Sequence, residues 1–234
     1  MNVFIFWEGK MPFYIQKCID KMKDAFKDKL IIVNYKNIGK YIPTLPTHLR
    51  KIRELALQVD YIRVALLYHN SGVYLDADCI VFPIMLPYLE DIFSKHKDKE
   101  LIGLGRNNII DANAFFVAPN KKSFVLKKIL EEQEKIIGVK RGRLYWSEIG
   151  GNLIKQVASE YKDKCLTLNP SPIYFSGWKN TDIFATTDKE KILEFVDKIV
   201  SKKLKGIMLY NKVMKNLYMN HIEEGTLLSY FLIK

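Results

Sequence analysis

The chain has 234 residues with 48% hydrophobic and 27% charged side chains, an ordinary globular balance that suits one domain, or one domain with a small appendage. Its 3 scattered cysteines form no CxxC or Cys/His cluster, and no apolar run reaches about 18 residues, which argues against a disulfide framework, a structural zinc site and a membrane span. The net charge of +11 leaves three kinds of partner open: nucleic acid, an anionic membrane surface, or a phosphate-bearing small molecule.

The beginning of the chain has the pattern of a strand, a helix and a second strand. Residues 2–7 are an apolar run typical of a buried strand, and Gly9 and Pro12 then mark a turn and a helix start. Apolar residues follow at helical spacing, with lysines between them: Ile15, Cys18, Ile19, Met22 and Phe26. A further apolar run at 30–33 completes a pattern that indicates a parallel α/β sheet.

A long helix is predicted next, over residues 46–68, with Gly72 as its left-handed C-cap. A strand over 73–75 ends at Asp76, and another apolar run spans 79–82. Later in the chain the patterns predict strands at 101–104, 114–118 and 207–210, and helices at 124–137, 148–161 and 189–200.

Two carboxylates, Asp76 and Asp78, stand just after the predicted strand at 73–75. Side chains at i and i+2 of a strand point to one side, and at the carboxyl end of a strand in an open α/β sheet they face the ligand crevice. Two carboxylates on one side repel each other unless a cation lies between them, and such hard oxygen ligands suit Mg²⁺ or Mn²⁺. The alternative interpretation is an ordinary polar strand end.

Asp60 and Arg63 place two charges on the otherwise apolar face of the preceding helix. They are three residues apart, one helical turn, and charges on an inward face are rare unless they are paired or functional. One interpretation is a mutual ion pair at the edge of the helix. The other is an acid and a base that reach the same crevice as Asp76 and Asp78, where the fork of Arg63 fits phosphate oxygens or sugar hydroxyls.

Segment 59–82, "VDYIRVALLYHNSGVYLDADCIVF", resembles the core of glycosyltransferases with a DXD sugar-binding motif and of the bacterial capsular polysaccharide synthesis proteins. The opening "IFWEGKMPFYIQKCIDKMK" is similar to the first strand, Pro turn and helix of the same proteins. The resemblance implies an α/β, GT-A-like single domain over 1–234, with a Rossmann-like, mostly parallel central sheet flanked by helices. Residues 1–118 would be its nucleotide-sugar-binding half and 119–234 its acceptor-side half.

The resemblance also implies a set of donor-binding residues. Trp7 would stack on or flank the nucleotide base, although it also fits the role of a core residue. Asp60 and Arg63 would hold the donor sugar and its phosphate, and Tyr74 and Asp76 would approach the ribose and the sugar.

Three further roles follow from the same resemblance. Asp78 would be the direct metal ligand, beside Asp76, and Asn113 would lie near the transferred sugar, so that Asp60, Arg63, Asp76 and Asn113 form the catalytic set. The histidine that completes the metal site in the family has no obvious equivalent. His221 is the first candidate and Asn211 the second, with an ordinary surface histidine as the alternative for His221 and a turn residue as the alternative for Asn113.

Segment 146–153, "WSEIGGNL", resembles the glycine-containing helix start that faces the acceptor in the family. Gly150 and Gly151 would let the backbone approach a ligand closely. Glu148 has a second interpretation, as a residue that only caps the helix.

The function that the family resemblance implies is a metal-dependent hexosyltransferase. It would use Mn²⁺ or Mg²⁺ and a nucleotide-sugar, a UDP-sugar by default, to extend a capsular or lipopolysaccharide glycan or lipid-linked glycan, with retention of configuration. We expect a cytoplasmic protein with peripheral contact at the inner membrane face and no nucleic-acid partner. Two alternatives stay open: a DxD phosphohydrolase, and a non-enzymatic protein that binds nucleic acid or an anionic surface through its basic residues.

Overall fold

The structure, a computed structural model, describes residues 1–139, 144–145, 147–170, 172–175, 181–209, 214 and 219–233. The chain forms two compact units, each assembled from three separate stretches. The first comprises Met1–Phe6, Ile31–Leu75 and Leu89–Asn169, and the second comprises Trp7–Leu30, Asp76–Tyr88 and Pro170–Lys234. The expected single domain with halves at 1–118 and 119–234 stays a prediction.

The described part of the chain alternates strands and helices. The strands are β1 (Val3–Phe6), β2 (Leu30–Val33), β3 (Gly72–Leu75), β4 (Cys79–Val81), β5 (Leu101–Arg106), β6 (Ile109–Ala118), β7 (Cys165–Leu168), β8 (Ile173–Phe175) and β9 (Gly206–Met208). The helices are α1 (Phe13–Phe26), α2 (Leu55–Asn70), α3 (Met85–Lys95), α4 (Phe124–Val139), α5 (Gly151–Glu160), α6 (Lys189–Ser201) and α7 (Leu227–Leu232). Among the described residues, none of these helices is long and apolar enough to span a bilayer.

The larger sheet has six strands in the order β2-β1-β3-β6-β5-β7. β1 pairs parallel with β3 and β5 pairs parallel with β7, while β6 runs antiparallel to both of its neighbours. Thus β1, β3, β5 and β7 run in one direction, and their carboxyl ends lie along one edge. Apolar faces of α2, α4 and α5 pack on this sheet in one core. The predicted α/β architecture, a mostly parallel sheet flanked by helices, is confirmed.

The second unit contains a smaller sheet in the order β4-β9-β8. β9 runs antiparallel to β4 and parallel to β8. The five residues predicted to form the apolar face of α1 are all buried. The strand predicted at 207–210 is observed as β9, and residue 210 lies outside the described residues.

The predicted helix at 46–68 differs from the observed one at both ends. A short 3-10 turn, Leu49–Lys51, comes first, and Ile52 is extended with ψ 122°, so that α2 begins only at Leu55. The Gln58 side chain binds the Ile52 carbonyl oxygen at 2.6 Å, which closes this turn on the start of α2. At the other end Ser71 is the C-cap, with φ 57°, and the predicted Gly72 follows it, also with a positive φ of 111°.

Candidate functional site

The Asp60–Arg63 pair is the centre of the candidate site. Both lie on α2 with only 9% and 6% of their side chains exposed, and Arg63 Nη2 lies 3.3 Å from Asp60 Oδ1. Burial of two charges is tolerated only when they are paired and hydrogen-bonded, because each loses its hydration. The mutual ion pair that we considered from the sequence therefore forms, and it forms inside the first unit.

Two further predicted residues join this pair. Arg63 Nη1 donates to the backbone carbonyl of Asn113, and Asn113 Nδ2 donates to Asp60 Oδ1 at 3.0 Å. The guanidinium carbon of Arg63 lies 5.1 Å from the ring centroid of Tyr74, which is fully buried. We call Asp60, Arg63, Tyr74 and Asn113 the Asp60 cluster. The structure brings these four residues together, although they come from α2, β3 and β6.

The register of β6 explains why Asn113 reaches the pair. Phe115 pairs with Leu75, the last residue of β3. Asn113 precedes Phe115 by two residues on the antiparallel β6, so it lies past the carboxyl end of β3. The Asp60 cluster therefore lies at the edge of the sheet where parallel strands end, the position at which open α/β sheets bind ligands.

The Asp60 carboxylate also contacts Gly150, the residue directly before α5. A Cβ at position 150 would lie 2.6 Å from Asp60 Cγ, a distance that real Cβ atoms do not show. Gly150 thus leaves room for a carboxylate at the amino end of a helix, where the partial positive charge of the helix favours an anion. A Cβ at Gly151 would meet only Ser147 Oγ at 3.4 Å, so no comparable need for glycine exists there.

The side chain of Glu148 closes the turn at 145–148 and does not cap α5. Its Oε2 accepts a hydrogen bond from the Tyr145 backbone N–H at 2.8 Å, and α5 has Gly150 at its N-cap with no side-chain cap. Trp146, which opens the predicted acceptor-side segment, lies outside the described residues.

Gln133 belongs to the site, although the sequence interpretation missed it. It is fully buried on α4, and its Nε2 donates to the backbone carbonyls of Asp60, at 3.0 Å, and Ile149, at 2.6 Å. The signal was available, because position 133 falls on the apolar face of the predicted helix at 124–137, between Ile129 and Ile137. A polar residue at a core position of a helix indicates a specific hydrogen-bonding task.

Asp76 and Asp78 lie in the second unit, in the turn between β3 and β4, and both are half-buried. Burial raises the pKa of the Cys79 thiol well above its usual value, and the charges of Asp78 and Asp76 raise that pKa further. Burial also raises the pKa of Tyr14, with a second contribution from Asp78. Both carboxylates therefore act on one buried thiol. That they point to one side, as the predicted acidic pair requires, stays a prediction.

These two carboxylates fit a divalent ion that takes its other ligands from water and phosphate. They supply hard oxygen donors, and Mg²⁺ in particular is held by one or two carboxylates plus substrate phosphates. No group of three or more His, Cys, Asp or Glu residues that could hold a metal occurs among the residues that the structure describes. The oxygen chemistry of the pair suits the ion, and the pair would form only part of its coordination shell.

The remaining predicted site residues also lie in the second unit. His221 is exposed, and its segment is anchored to the start of α1, because Phe13 N–H donates to the Met219 carbonyl at 2.9 Å. Trp7 is half-buried; its indole Nε1 is inaccessible and has no hydrogen-bond acceptor among the described residues. Asn211, the second candidate for a metal ligand, lies outside the described residues.

Solved glycosyltransferase structures resemble this chain only distantly. The PaToxG glycosyltransferase is 14% identical, with a TM-score of 0.46 over 86% of this chain and 75% of its own. The galactosyltransferase LgtC is 11% identical, with a TM-score of 0.46 over 89% of this chain and 87% of its own. GlyE of Streptococcus pneumoniae TIGR4 is 12% identical, with a TM-score of 0.49 over 96% of this chain and 55% of its own.

Sequence comparison gives a firmer assignment. No curated protein sequence matches the chain. The model of the family described as capsular polysaccharide synthesis protein matches residues 1–129, which is more than half of the chain and includes Asp60, Arg63, Asp76, Asp78 and Asn113. The resemblance of segment 59–82 to the capsular polysaccharide synthesis proteins is thereby confirmed. The chain belongs to the capsular polysaccharide synthesis protein family.

Proposed function

We propose that this protein is a metal-dependent glycosyltransferase of the GT-A type, which moves a sugar from a nucleotide-sugar to a glycan acceptor. The observation that carries the proposal is the buried Asp60 cluster, in which a carboxylate, a guanidinium and an amide meet past the carboxyl end of β3. In the chain, the Asp76–Ala77–Asp78 turn follows β3 directly. Membership of a capsule-synthesis family supports a sugar substrate.

In the proposed reaction the Asp60 cluster holds the donor sugar and its phosphate. Arg63 and Asn113 fix the Asp60 carboxylate, which is then a pre-oriented acceptor for sugar hydroxyls. The guanidinium of Arg63 is held over Tyr74 and near the carbonyl of Asn113, so its positive charge has a fixed position, from which it would stabilise the leaving diphosphate. Trp7 is proposed to flank the nucleotide base.

Asp78, with Asp76 and His221, would hold the divalent ion. We propose Asp78 as the direct ligand, Asp76 as its partner near the ribose and sugar, and His221 as the residue that completes the site. The hydrogen bond from Phe13 to Met219, which anchors the His221 segment to the start of α1, supports this. The next residue of α1 is Tyr14, and the charge of Asp78 contributes to its raised pKa. When bound, Mn²⁺ or Mg²⁺ neutralises the charge that develops on the departing diphosphate.

Transfer is proposed to proceed with retention, from a UDP-sugar. The acceptor hydroxyl attacks the anomeric carbon on the face that the diphosphate leaves, and its proton passes to the departing phosphate oxygen. The bond from the anomeric carbon to the phosphate oxygen breaks as the new glycosidic bond forms. The acceptor would be a growing capsular or lipopolysaccharide glycan.

A nucleotide-release screen tests this proposal. The purified protein is incubated with UDP-glucose, UDP-galactose, UDP-N-acetylglucosamine and GDP-mannose, each with Mn²⁺, Mg²⁺ or EDTA. We expect slow hydrolysis of one donor, which requires the metal and stops with EDTA. A generic phosphoester in the same screen separates a phosphohydrolase from a transferase. Metal-dependent cleavage of that phosphoester, with no donor turned over, would replace the proposal with the phosphohydrolase.

We also propose peripheral contact with anionic lipid, at an edge of the first unit where exposed lysines gather. These lysines are Lys97, Lys121, Lys162 and Lys164. Their loops are joined, because Asn120 Nδ2 donates to the Lys97 carbonyl at 2.7 Å and Glu100 N–H donates to the Lys164 carbonyl at 2.8 Å. Lysines on joined loops attract anionic lipid by charge at short range, against the exposed carboxylates of Asp98 and Asp163 on the same loops.

Vesicle co-sedimentation tests this contact. We expect binding to phosphatidylglycerol-rich vesicles at low salt and its loss in high salt. Replacing the four lysines by Gln should remove the binding, whereas replacing Lys189, Lys191 and Lys198 of α6 and Lys202 directly after it by Gln serves as the matched control. Equal binding by both variants would contradict the assignment of this edge.

A further inference from the structure

Gln133 bridges two segments that meet at the Asp60 carboxylate. Its Nε2 donates to the carbonyl of Asp60, on α2, and to the carbonyl of Ile149, in the turn before α5. Because both partners are acceptors, the amide nitrogen must face them, and this fixes the orientation of the amide. This side chain of α4 thereby ties α2 to the turn, in addition to the packing of the three helices in one core.

The amide of Gln133 lowers the stability of the core position that it occupies. The residue is fully buried, and its Oε1 has no hydrogen-bond partner among the residues that the structure describes. A buried acceptor without a partner lowers stability, whereas an apolar side chain of similar length would pack there without that cost. The neighbours on the same face of α4, Leu126, Ile129, Leu130 and Ile137, are all apolar. What Gln133 supplies against that cost is the bridge to the backbone carbonyls of Asp60 and Ile149, which an apolar side chain would leave without this donor.

Gly150 provides the second constraint on the same carboxylate. The Asp60 side chain occupies the volume that a Cβ at position 150 would need, so the carboxylate is in contact with the backbone before α5. On its other side, Oδ1 is held by Arg63 at 3.3 Å and by Asn113 at 3.0 Å. The position of the carboxylate thus depends on the separation between α2 and the 147–150 turn, which is the separation that Gln133 sets.

We infer that Gln133 and Gly150 are positioning residues for Asp60, and that they act on the donor sugar only through its carboxylate. The inference rests on the proposed function, in which Asp60 accepts hydrogen bonds from that sugar. Without the Gln133 bridge, α2 and the turn separate slightly, and the carboxylate loses its orientation while the fold remains. Replacing Gln133 or Gly150 should therefore lower donor turnover in a protein that has Asp60, and should have little effect in a protein that lacks it.

A double-mutant cycle tests this dependence. Gln133→Met keeps the length of the side chain and removes both donors. We expect it to lower kcat/KM for donor hydrolysis by about tenfold in the wild-type background and by less than about twofold in the Asp60→Asn background. The matched control is Gln58→Met, which removes another buried glutamine of the first unit, one bonded to Tyr35 and Ile52. Its effect should be the same in both backgrounds.

Gly150→Ala is a second variant, which tests the same dependence if the Gln133→Met protein does not fold. It displaces the carboxylate directly and should show the same dependence on Asp60, while Gly151→Ala should not. Equal factors in both backgrounds, for both Gln133→Met and Gly150→Ala, would overturn the positioning role and leave the proposed function intact. A wild-type protein that hydrolyses none of the four nucleotide-sugars would overturn the proposed function, and the role with it.

Discussion

The carboxylate of Asp60 lies where any residue other than glycine would carry its Cβ at position 150. This contact joins α2 to the start of α5 and places a negative charge at the amino end of that helix. The same carboxylate is paired with Arg63 and bonded by Asn113. The buried carboxylate is therefore surrounded by α2, β6 and the turn before α5, which are distant from one another in sequence. This suits a group whose position matters for function.

Gly150→Ala should destabilise the protein. The new Cβ would be forced against Asp60 Cγ, and overpacking of this kind costs about 1–3 kcal/mol of the free energy of unfolding. Urea denaturation measures the change. Gly151→Ala is the control, because its Cβ would make only an ordinary contact and should change the free energy by less than about 0.5 kcal/mol. Equal stability of both variants would show that the contact at Gly150 is wrong.

The Asp60–Arg63 pair should show strong thermodynamic coupling. Asp60→Ala leaves a buried guanidinium without its carboxylate, and losing one partner of a buried pair costs about 3–5 kcal/mol. The double variant Asp60→Ala/Arg63→Met removes both charges and should be more stable than Asp60→Ala alone. Denaturant titration of the wild type, the two single variants Asp60→Ala and Arg63→Met, and the double variant measures the coupling. Effects that simply add would indicate that the pair is solvated and weak.

Asp78→Asn should separate metal chemistry from folding. Asp78 is half-buried in a turn, so the loss of its charge should leave the melting temperature close to the wild-type value. Metal-dependent nucleotide release should fall on the order of 100-fold or more, because the ion would lose its direct ligand. Asp91→Asn, on an exposed ion pair of α3, is the matched control. Near-wild-type turnover in Asp78→Asn would rule out its role.

The free energy of unfolding should fall at high pH because of the Cys165 thiol. Burial raises the pKa of this thiol to about 11, and the nearby Glu100 carboxylate adds to the shift. The folded thiol keeps its proton where the unfolded thiol has lost it, so this contribution is present below about pH 9 and is lost as pH rises through 11. Thiol labelling of the native protein, followed by mass spectrometry of peptides, should show labelling of Cys165 that increases only above about pH 10. Fast labelling at pH 8 would contradict the raised pKa.

Much of the Asp60 cluster could be predicted from local patterns. Asp60 and Arg63 were identified because two charges at helical spacing interrupt an apolar face, and such spacing survives in any fold that forms the helix. The mostly parallel sheet followed from the alternation of apolar runs and amphipathic stretches. The family resemblance supplied Tyr74 and Asn113, and the structure places both beside Arg63.

Other features depend on contacts between distant segments, which local patterns do not contain. That Asn113 reaches Asp60 depends on the register between β6 and β3. The start of α2 at Leu55 depends on the Gln58 side chain, which closes the turn at Ile52. The bridge from Gln133 to Ile149 depends on how α4 packs against α5, so the sequence could indicate only that a buried glutamine was unusual.

Calorimetric titration of UDP with and without Mn²⁺ tests the central claim most directly, because it needs neither the acceptor nor the donor sugar. A diphosphate bound through a metal at Asp78 should bind at least about tenfold more weakly when EDTA removes the ion, and equally weakly in Asp78→Asn with Mn²⁺ present. If UDP, GDP and their sugars bind with the same affinity in Mn²⁺ and in EDTA, or do not bind, the protein is not a metal-dependent glycosyltransferase.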